Sequence, residues 1–209
     1  MTDPRITDLE LVKDVFNKFG AKFILVYGAC LGWYRDNKFL PGDDDIDLAV
    51  VDPIPYKTRK DIGWALYDLG FKTQEVAFNV FGRLEFQELG YNGDEETGII
   101  CCKRNIKFTI FFFKKENCKV HGDEFVCIPK YRALRLIATP ARFYECFDGK
   151  KIGKYRYLMP HPLEQYLEFT YGDWKDKTLR NHGLTYLEMH PEYKEFLKDP
   201  QNAAAIWNP

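Results

Sequence analysis

Residues 40–50 read LPGDDDIDLAV, and they set four carboxylates (Asp43, Asp44, Asp45 and Asp47) within five positions. An apolar run, Leu48-Ala49-Val50-Val51, follows directly. The alternation predicts a strand over Asp45–Val51, closed by Asp52-Pro53, with Asp45 and Asp47 on one face and Ile46 and Leu48 on the other, in the core. Like charges at the mouth of a buried strand repel, and their desolvation adds to the cost unless something positive joins them. Carboxylate oxygens are hard ligands that suit Mg2+ or Mn2+, and Mg2+ commonly brings substrate phosphates with it. The competing readings are a solvated acidic turn and a Ca2+ loop; the EF-hand loop needs further ligands and a glycine at set positions, which are absent.

Working upstream, residues 25–35 read LVYGACLGWYR. The pattern predicts a short buried strand, Phe23–Tyr27, then Gly28, then a short helix over Ala29–Asp36. Glycine lets backbone N–H groups approach a phosphate, and a helix N-terminus favours an anion. Arg35 has the fork to grip a phosphate with two hydrogen bonds. A strand–glycine–helix is a weak signal alone and gains weight from the Asp-x-Asp strand that follows it.

The remaining chain is consistent with one mixed α/β domain spanning 1–209, with a core at about 10–180 and a largely helical tail over 181–209. Thr7 is a candidate cap for a helix whose Leu9, Val12, Val15, Phe16 and Phe19 recur at helical spacing and which Gly20 ends. Lys57–Leu69 reads as a helix. Strands are expected around Lys72–Ala77, Val80–Gln87, Gly98–Cys102, Ile106–Phe113 and Glu124–Ile128, with a hairpin turn at His121-Gly122-Asp123. Tyr131–Ile137 reads as helical. Arg142–Phe147 and Ile152–Tyr157 are expected to flank a second hairpin turn at Asp148-Gly149-Lys150, and Pro162 to open a helix running to Tyr171.

With 209 residues, 45% of them hydrophobic, the chain can bury a sizeable core. A net charge of −1 gives no basic field for nucleic acid. Apolar runs are too short to cross a bilayer, and the charged first residues do not resemble a signal peptide, so a cytoplasmic location is expected. The six cysteines lack the pattern of a disulfide framework. Cys102, Cys118, His121 and Cys127 are a weak candidate zinc group, against the plainer reading of core thiols beside a hairpin.

Gly28 to Asp47, GACLGWYRDNKFLPGDDDID, closely resembles the signature of the LicD and fukutin family, with the same glycine-to-aspartate spacing. Thr109–Phe113 with its charged continuation (TIFFFKKEN) is similar to that family's second acidic strand, and Pro162–Trp174 (PLEQYLEFTYGDW) to its closing helix. The resemblance runs from about residue 10 to 180 and implies a nucleotidyltransferase-like fold with antiparallel additions. It implies transfer of a phosphorylated group, such as phosphocholine or a polyol phosphate, from a nucleotide-diphosphate donor, CDP-linked by preference, to a sugar or glycan hydroxyl. Matched residue by residue, Asp45 and Asp47 become the expected metal ligands and catalytic carboxylates for Mg2+ or Mn2+. Gly28, Ala29, Gly32 and Arg35, with Asp44, become the substrate-binding residues around the donor phosphates, and Asp43 and Asp44 also act as acids of electrostatic effect.

Three positions depart from the family pattern. Ala29 stands where a hydroxyl residue is usual, Gly42 where tryptophan is usual, and Thr109 where the second acidic strand carries a carboxylate. A threonine hydroxyl donates a hydrogen bond but is no base near neutral pH. Glu85, Lys107 and Asp173 are the candidate substitutes. Two alternatives stay open: a catalytically weakened or inactive nucleotide-binding member of the family, and an Asp-x-Asp glycosyltransferase using a nucleotide-sugar.

Overall fold

The structure, a computed structural model, describes residues 3–78, 84–87, 98–118, 122–127 and 137–177. Four helices, α1 (Pro4–Lys18), α2 (Tyr27–Arg35), α3 (Tyr56–Asp68) and α4 (Leu163–Tyr171), accompany eleven strands. The strands are β1 (Ile24–Leu25), β2 (Asp45–Val50), β3 (Lys72–Phe78), β4 (Leu84–Gln87), β5 (Gly98–Lys103) and β6 (Ile106–Phe112), then β7 (Lys114–Cys118), β8 (Gly122–Cys127), β9 (Ile137–Pro140), β10 (Phe147–Ile152) and β11 (Tyr155–Pro160). Eight of them form one mixed sheet in the order β10-β11-β1-β2-β6-β5-β3-β4, and β7-β8-β9 form a second, antiparallel sheet. The mixed α/β class expected from sequence is the class observed.

Within the large sheet, β2 runs parallel to β6, with Asp45 beside Lys107 and Asp47 beside Thr109, while β1 runs antiparallel to β2 and parallel to β11. The core lies where the alternation of β2 places it: Ile46 and Leu48 are fully buried, as are Phe108 and Ile110 beside them on β6. Phe16 of α1 packs edge-on against Phe23 at 5.0 Å, and Phe71 does the same with Phe108 at 5.9 Å. The aromatic run Phe111–Phe113 is buried too, in keeping with a packing role rather than a stacking platform.

Several boundaries differ from those expected. α1 begins a turn earlier than Thr7, because Pro4 suits the first helical position and the Asp3 side chain accepts the Arg5 backbone N–H at 2.9 Å. β1 is only two residues long, and α2 already starts at Tyr27, whose N–H donates to the hydroxyl of Tyr166 on α4 at 3.1 Å. The charged continuation after Phe113 belongs to a strand, Lys114–Cys118, paired with β8, and Gly122 and Asp123 lie inside β8 rather than in a turn. Ile137 opens β9 instead of ending a helix; residues 131–136 lie outside the described residues. Residues 141–144 form a 3-10 turn. The hairpin turn between β10 and β11 falls at Gly153-Lys154, with Gly153 at φ +57, not at Asp148-Gly149-Lys150, which is strand. Pro162 stands one position before α4. The tail from 178 onward, expected to be helical, is also outside the described residues.

Candidate active site

Asp45 and Asp47 project from one face of β2, at the end of the sheet where the strand begins; Ile46, between them, is fully buried. Asp43, Asp44 and Asp45 each offer a carboxylate oxygen, and these atoms lie within 4.8 Å of one another. The tightest group is therefore this consecutive trio, with Asp44 exposed and Asp47 next to it along the strand. Burial and then the Asp45 and Asp43 charges push the Asp47 carboxyl up to about 7. Burial and a hydrogen-bonded contact with Asp45 push Asp43 up to about 6. Two influences oppose the rise at Asp47: the Lys107 charge and a hydrogen bond donated by the Thr109 hydroxyl.

Lys107 forms an ion pair with Asp45 at 2.8 Å. Lys107, with the Arg5 charge acting on Asp43, still leaves four carboxylates in acidic excess, a set of all-oxygen donors whose chemistry a hard divalent cation satisfies. The residues present thus fit Mg2+ or Mn2+.

The loop that carries the acids is held by residues far away in sequence. Arg5 donates to the backbone carbonyls of Leu40 at 3.0 Å and Asp43 at 2.9 Å while its guanidinium lies over the Phe39 ring. Lys107 closes the next step with its backbone N–H to the Asp44 carbonyl at 2.8 Å. Nothing in the sequence pattern singles out Arg5, which stands 38 residues from Asp43. Tyr171, the tyrosine of the Tyr-Gly-Asp-Trp stretch, is a second residue that sequence reasoning left out. Its phenol is held well above its usual range by burial and then by the field of Asp47, which places α4's last turn beside the acidic cluster.

The glycines of α2 serve close packing. A Cβ on Gly28 would lie 2.8 Å from the Asp43 carboxylate, and one on Gly32 would lie 2.6 Å from the Lys38 carbonyl oxygen and 3.0 Å from the Leu40 nitrogen. The space these glycines leave is filled by residues 38–43 of the chain itself. Ala29 is buried in the core and Trp33 packs edge-on against Phe39. Arg35 is turned to Asp36 at 3.0 Å and to the Trp174 carbonyl at 3.2 Å, which fastens the segment after α4. Of the six residues expected to bind substrate or metal besides Asp45, the structure brings Asp47, Asp44 and Gly28 to the acidic cluster. It places Gly32 against the loop, Ala29 in the core and Arg35 on the closing segment.

Of the residues weighed beside Thr109, Lys107, expected to neutralise phosphate, is paired with Asp45, and Asp173 is exposed. Glu85 sits on β4, four strand positions from β2, roughly 19 Å away at the usual spacing, beyond the reach of a side chain. Of the suggested zinc group, Cys102 lies on β5, His121 is outside the described residues, and Cys118 and Cys127 are placed by their backbones alone. Cys30 and Cys101 are buried free thiols.

Residues 20–132 match the family described as LicD/FKTN/FKRP, nucleotidyltransferase domain. The chain is also similar to curated proteins named ribitol-5-phosphate transferase FKTN. It is 35% identical to that of Macaca fascicularis and 34% identical to that of Homo sapiens, each over 109 residues. Those alignments cover 52% of this chain and 20% of each relative, so the matched segment spans about a fifth of the relatives' length. The chain belongs to the LicD/FKTN/FKRP nucleotidyltransferase-domain family.

Proposed function

We propose that this LicD/FKTN/FKRP-family chain transfers a phosphorylated group from a nucleotide-diphosphate donor to a sugar or glycan hydroxyl. Family membership supports the reaction class. The observation that carries the chemical detail is the crowded carboxylate group at the start of β2, where burial and the neighbouring acids push Asp47 up to about 7 and Lys107 pairs with Asp45. Asp45 and Asp47, with Asp43 beside them, would hold Mg2+ or Mn2+. When bound, such an ion supplies charge neutralisation at the donor phosphates.

The chain's own residues define the rest. Arg5 and the two α2 glycines fix the loop that carries the acids, which keeps the donor atoms in place before any ligand arrives. Lys107 screens Asp45 and is positioned to meet an anion at the rim. Asp47, the more buried of the two carboxylates, is the residue proposed to take the acceptor hydroxyl's proton. A CDP-linked donor is the favoured substrate because the relatives are named ribitol-5-phosphate transferases and the sequence resembles CDP-dependent transferases.

A second reading rests on Thr109. It occupies the strand position beside Asp47 and brings a hydroxyl where the family pattern has a carboxylate. On that reading the protein binds a nucleotide with metal and does not turn it over.

Calorimetric titration with CDP, UDP, GDP and ADP, each with and without Mg2+ or Mn2+, tests the proposal. Metal-dependent binding of one nucleotide, lost in Asp45→Asn, is the expected result, and turnover assays on donors of that base then separate the two readings. Absence of metal-dependent nucleotide binding would overturn both.

A further inference from the structure

A cleft of about 570 Å3 opens between the β10–β11 hairpin, the first turn of α4 and the last turn of α2. Its size is in the range of small-molecule sites. One wall carries Arg156, whose guanidinium lies flat across Gly149 on the neighbouring strand; a Cβ on Gly149 would overlap it. Among the described residues the Arg156 side chain makes no hydrogen bond or ion pair. It is exposed and lines the cleft, and its guanidinium carries five N–H donors in a fixed fork. Facing groups are already ordered. Asp148 holds His161 at 3.2 Å, and Glu164 accepts from the Tyr34 hydroxyl at 2.8 Å. The Tyr34 ring is backed by Trp174, with centroids 5.5 Å apart.

The charges of this lining balance: Lys150 and Arg156 against Asp148 and Glu164. A nucleoside diphosphate carries two or more negative charges, and a lining whose two cations are matched by two carboxylates offers it no net attraction. A neutral ligand dense in hydroxyls suits it: carboxylates accept from hydroxyl groups, a guanidinium donates to hydroxyl and ring oxygens, and an ordered aromatic ring covers an apolar sugar face.

The cleft's position follows from the sheet. β11 is two strands from β2, roughly 10 Å across the sheet, and the register sets Arg156 four strand positions, roughly 13 Å, further along from the level of Asp47, while His161 and Pro162 lie near the level of the acids. The pairings Ile24–Leu158 and Ile24–Ala49 put Arg156 and Leu158 on the same sheet face as Asp45 and Asp47. Along α2, Tyr34 lies six residues from Gly28, roughly 9 Å, and Gly28 abuts Asp43. Both routes bring the cleft to within reach of a short oligosaccharide from the carboxylates.

We infer that the cleft lined by Arg156, Gly149, Tyr34, Asp148, His161 and Glu164 binds a neutral glycosyl unit of the acceptor. The inference rests on the reading of Asp45 and Asp47 as the donor site. It assigns the acceptor to a separate surface and makes Arg156 and Tyr34 its specificity-determining residues.

The test is amide and side-chain NMR of the labelled full-length chain during titration with glucose, galactose, mannose, N-acetylglucosamine and N-acetylgalactosamine, to tens of millimolar. At least one of these sugars should shift the Gly149 amide and the His161 ring. Arg156→Ala should weaken that binding about tenfold, the value of one or two lost hydrogen bonds. Gly149→Ala, which displaces the guanidinium while keeping it, should weaken it as well. Binding of none of the sugars, shifts centred elsewhere, or shifts unchanged in Arg156→Ala would overturn the assignment. Mn2+ is titrated separately and read by broadening at residues 43–47. Sugar binding without that broadening would leave the cleft standing and remove the donor-site reading, while broadening without sugar binding would do the reverse.

Discussion

Thr109 stands beside Asp47 across the parallel β2–β6 pair, and its hydroxyl donates a hydrogen bond to the Asp47 carboxylate. The register leaves no shift of alignment that would bring an acid to this position: the strand neighbours on the same face are Lys107 and Phe111. Thr109→Asp should therefore restore a carboxylate where the family pattern has one. Without metal the added like charge should cost about 1–3 kcal/mol of stability. With Mg2+ or Mn2+ the loss should reverse, and the cation should bind more tightly than to the parent chain. Thermal melts with and without metal check this. An Asp variant indifferent to metal would remove Thr109 from the site.

Metal-free stability should fall as pH rises from about 4 through about 7. Asp47 and Asp43 titrate in the folded protein at about 7 and about 6, above the ordinary value of 3.8. The folded state thus holds protons that the unfolded chain has released, which costs up to ~1.4 kcal/mol per pH unit for each carboxyl inside that window. Asp36 and Asp14 act in the opposite sense and lower down. Hydrogen bonds from Lys177 and Tyr155 hold them below their usual value, so their contribution is lost in acid below about pH 4. Denaturant unfolding across the range should show the fall, and Asp47→Asn should flatten it.

Arg5 is expected to matter to the site without touching any ligand. Arg5→Ala removes both hydrogen bonds to the 40–43 loop and should cost about 1–3 kcal/mol, together with a weaker affinity for Mn2+. Arg5→Lys should rescue little, because an ammonium cannot span two carbonyls as the planar fork does. Full rescue by lysine would mean that charge, not geometry, holds the loop.

Two glycine substitutions should have opposite signs. Gly32→Ala puts a methyl 2.6 Å from the Lys38 carbonyl oxygen, so backbone must move, at about 1–3 kcal/mol. Gly63→Ala, in the middle of α3 with nothing within 4 Å of the new methyl, should stabilise by about 0.5–1 kcal/mol. Paired unfolding curves would show it, and equal effects would mean that α2 does not pack against the loop as described.

The sequence by itself determined β2, the face its acids share, and the core side of that strand, because period-two alternation is a local property. It also determined α3 and the buried thiols. Only the tertiary structure decided what lies around the acids. Arg5 arrives from α1, Tyr171 from α4 and Thr109 from β6, brought together by strand order and register, and no local pattern encodes those. The same limit explains Gly149. A glycine between Asp and Lys reads as a turn from its neighbours, yet it lies within β10 because Arg156 of the facing strand needs the space above it. It also explains Gly28, Gly32 and Arg35. Their residue types fit a phosphate cradle, and only the structure shows that the loop folded back over α2 lies beside the glycines and that the guanidinium donates to the Trp174 carbonyl.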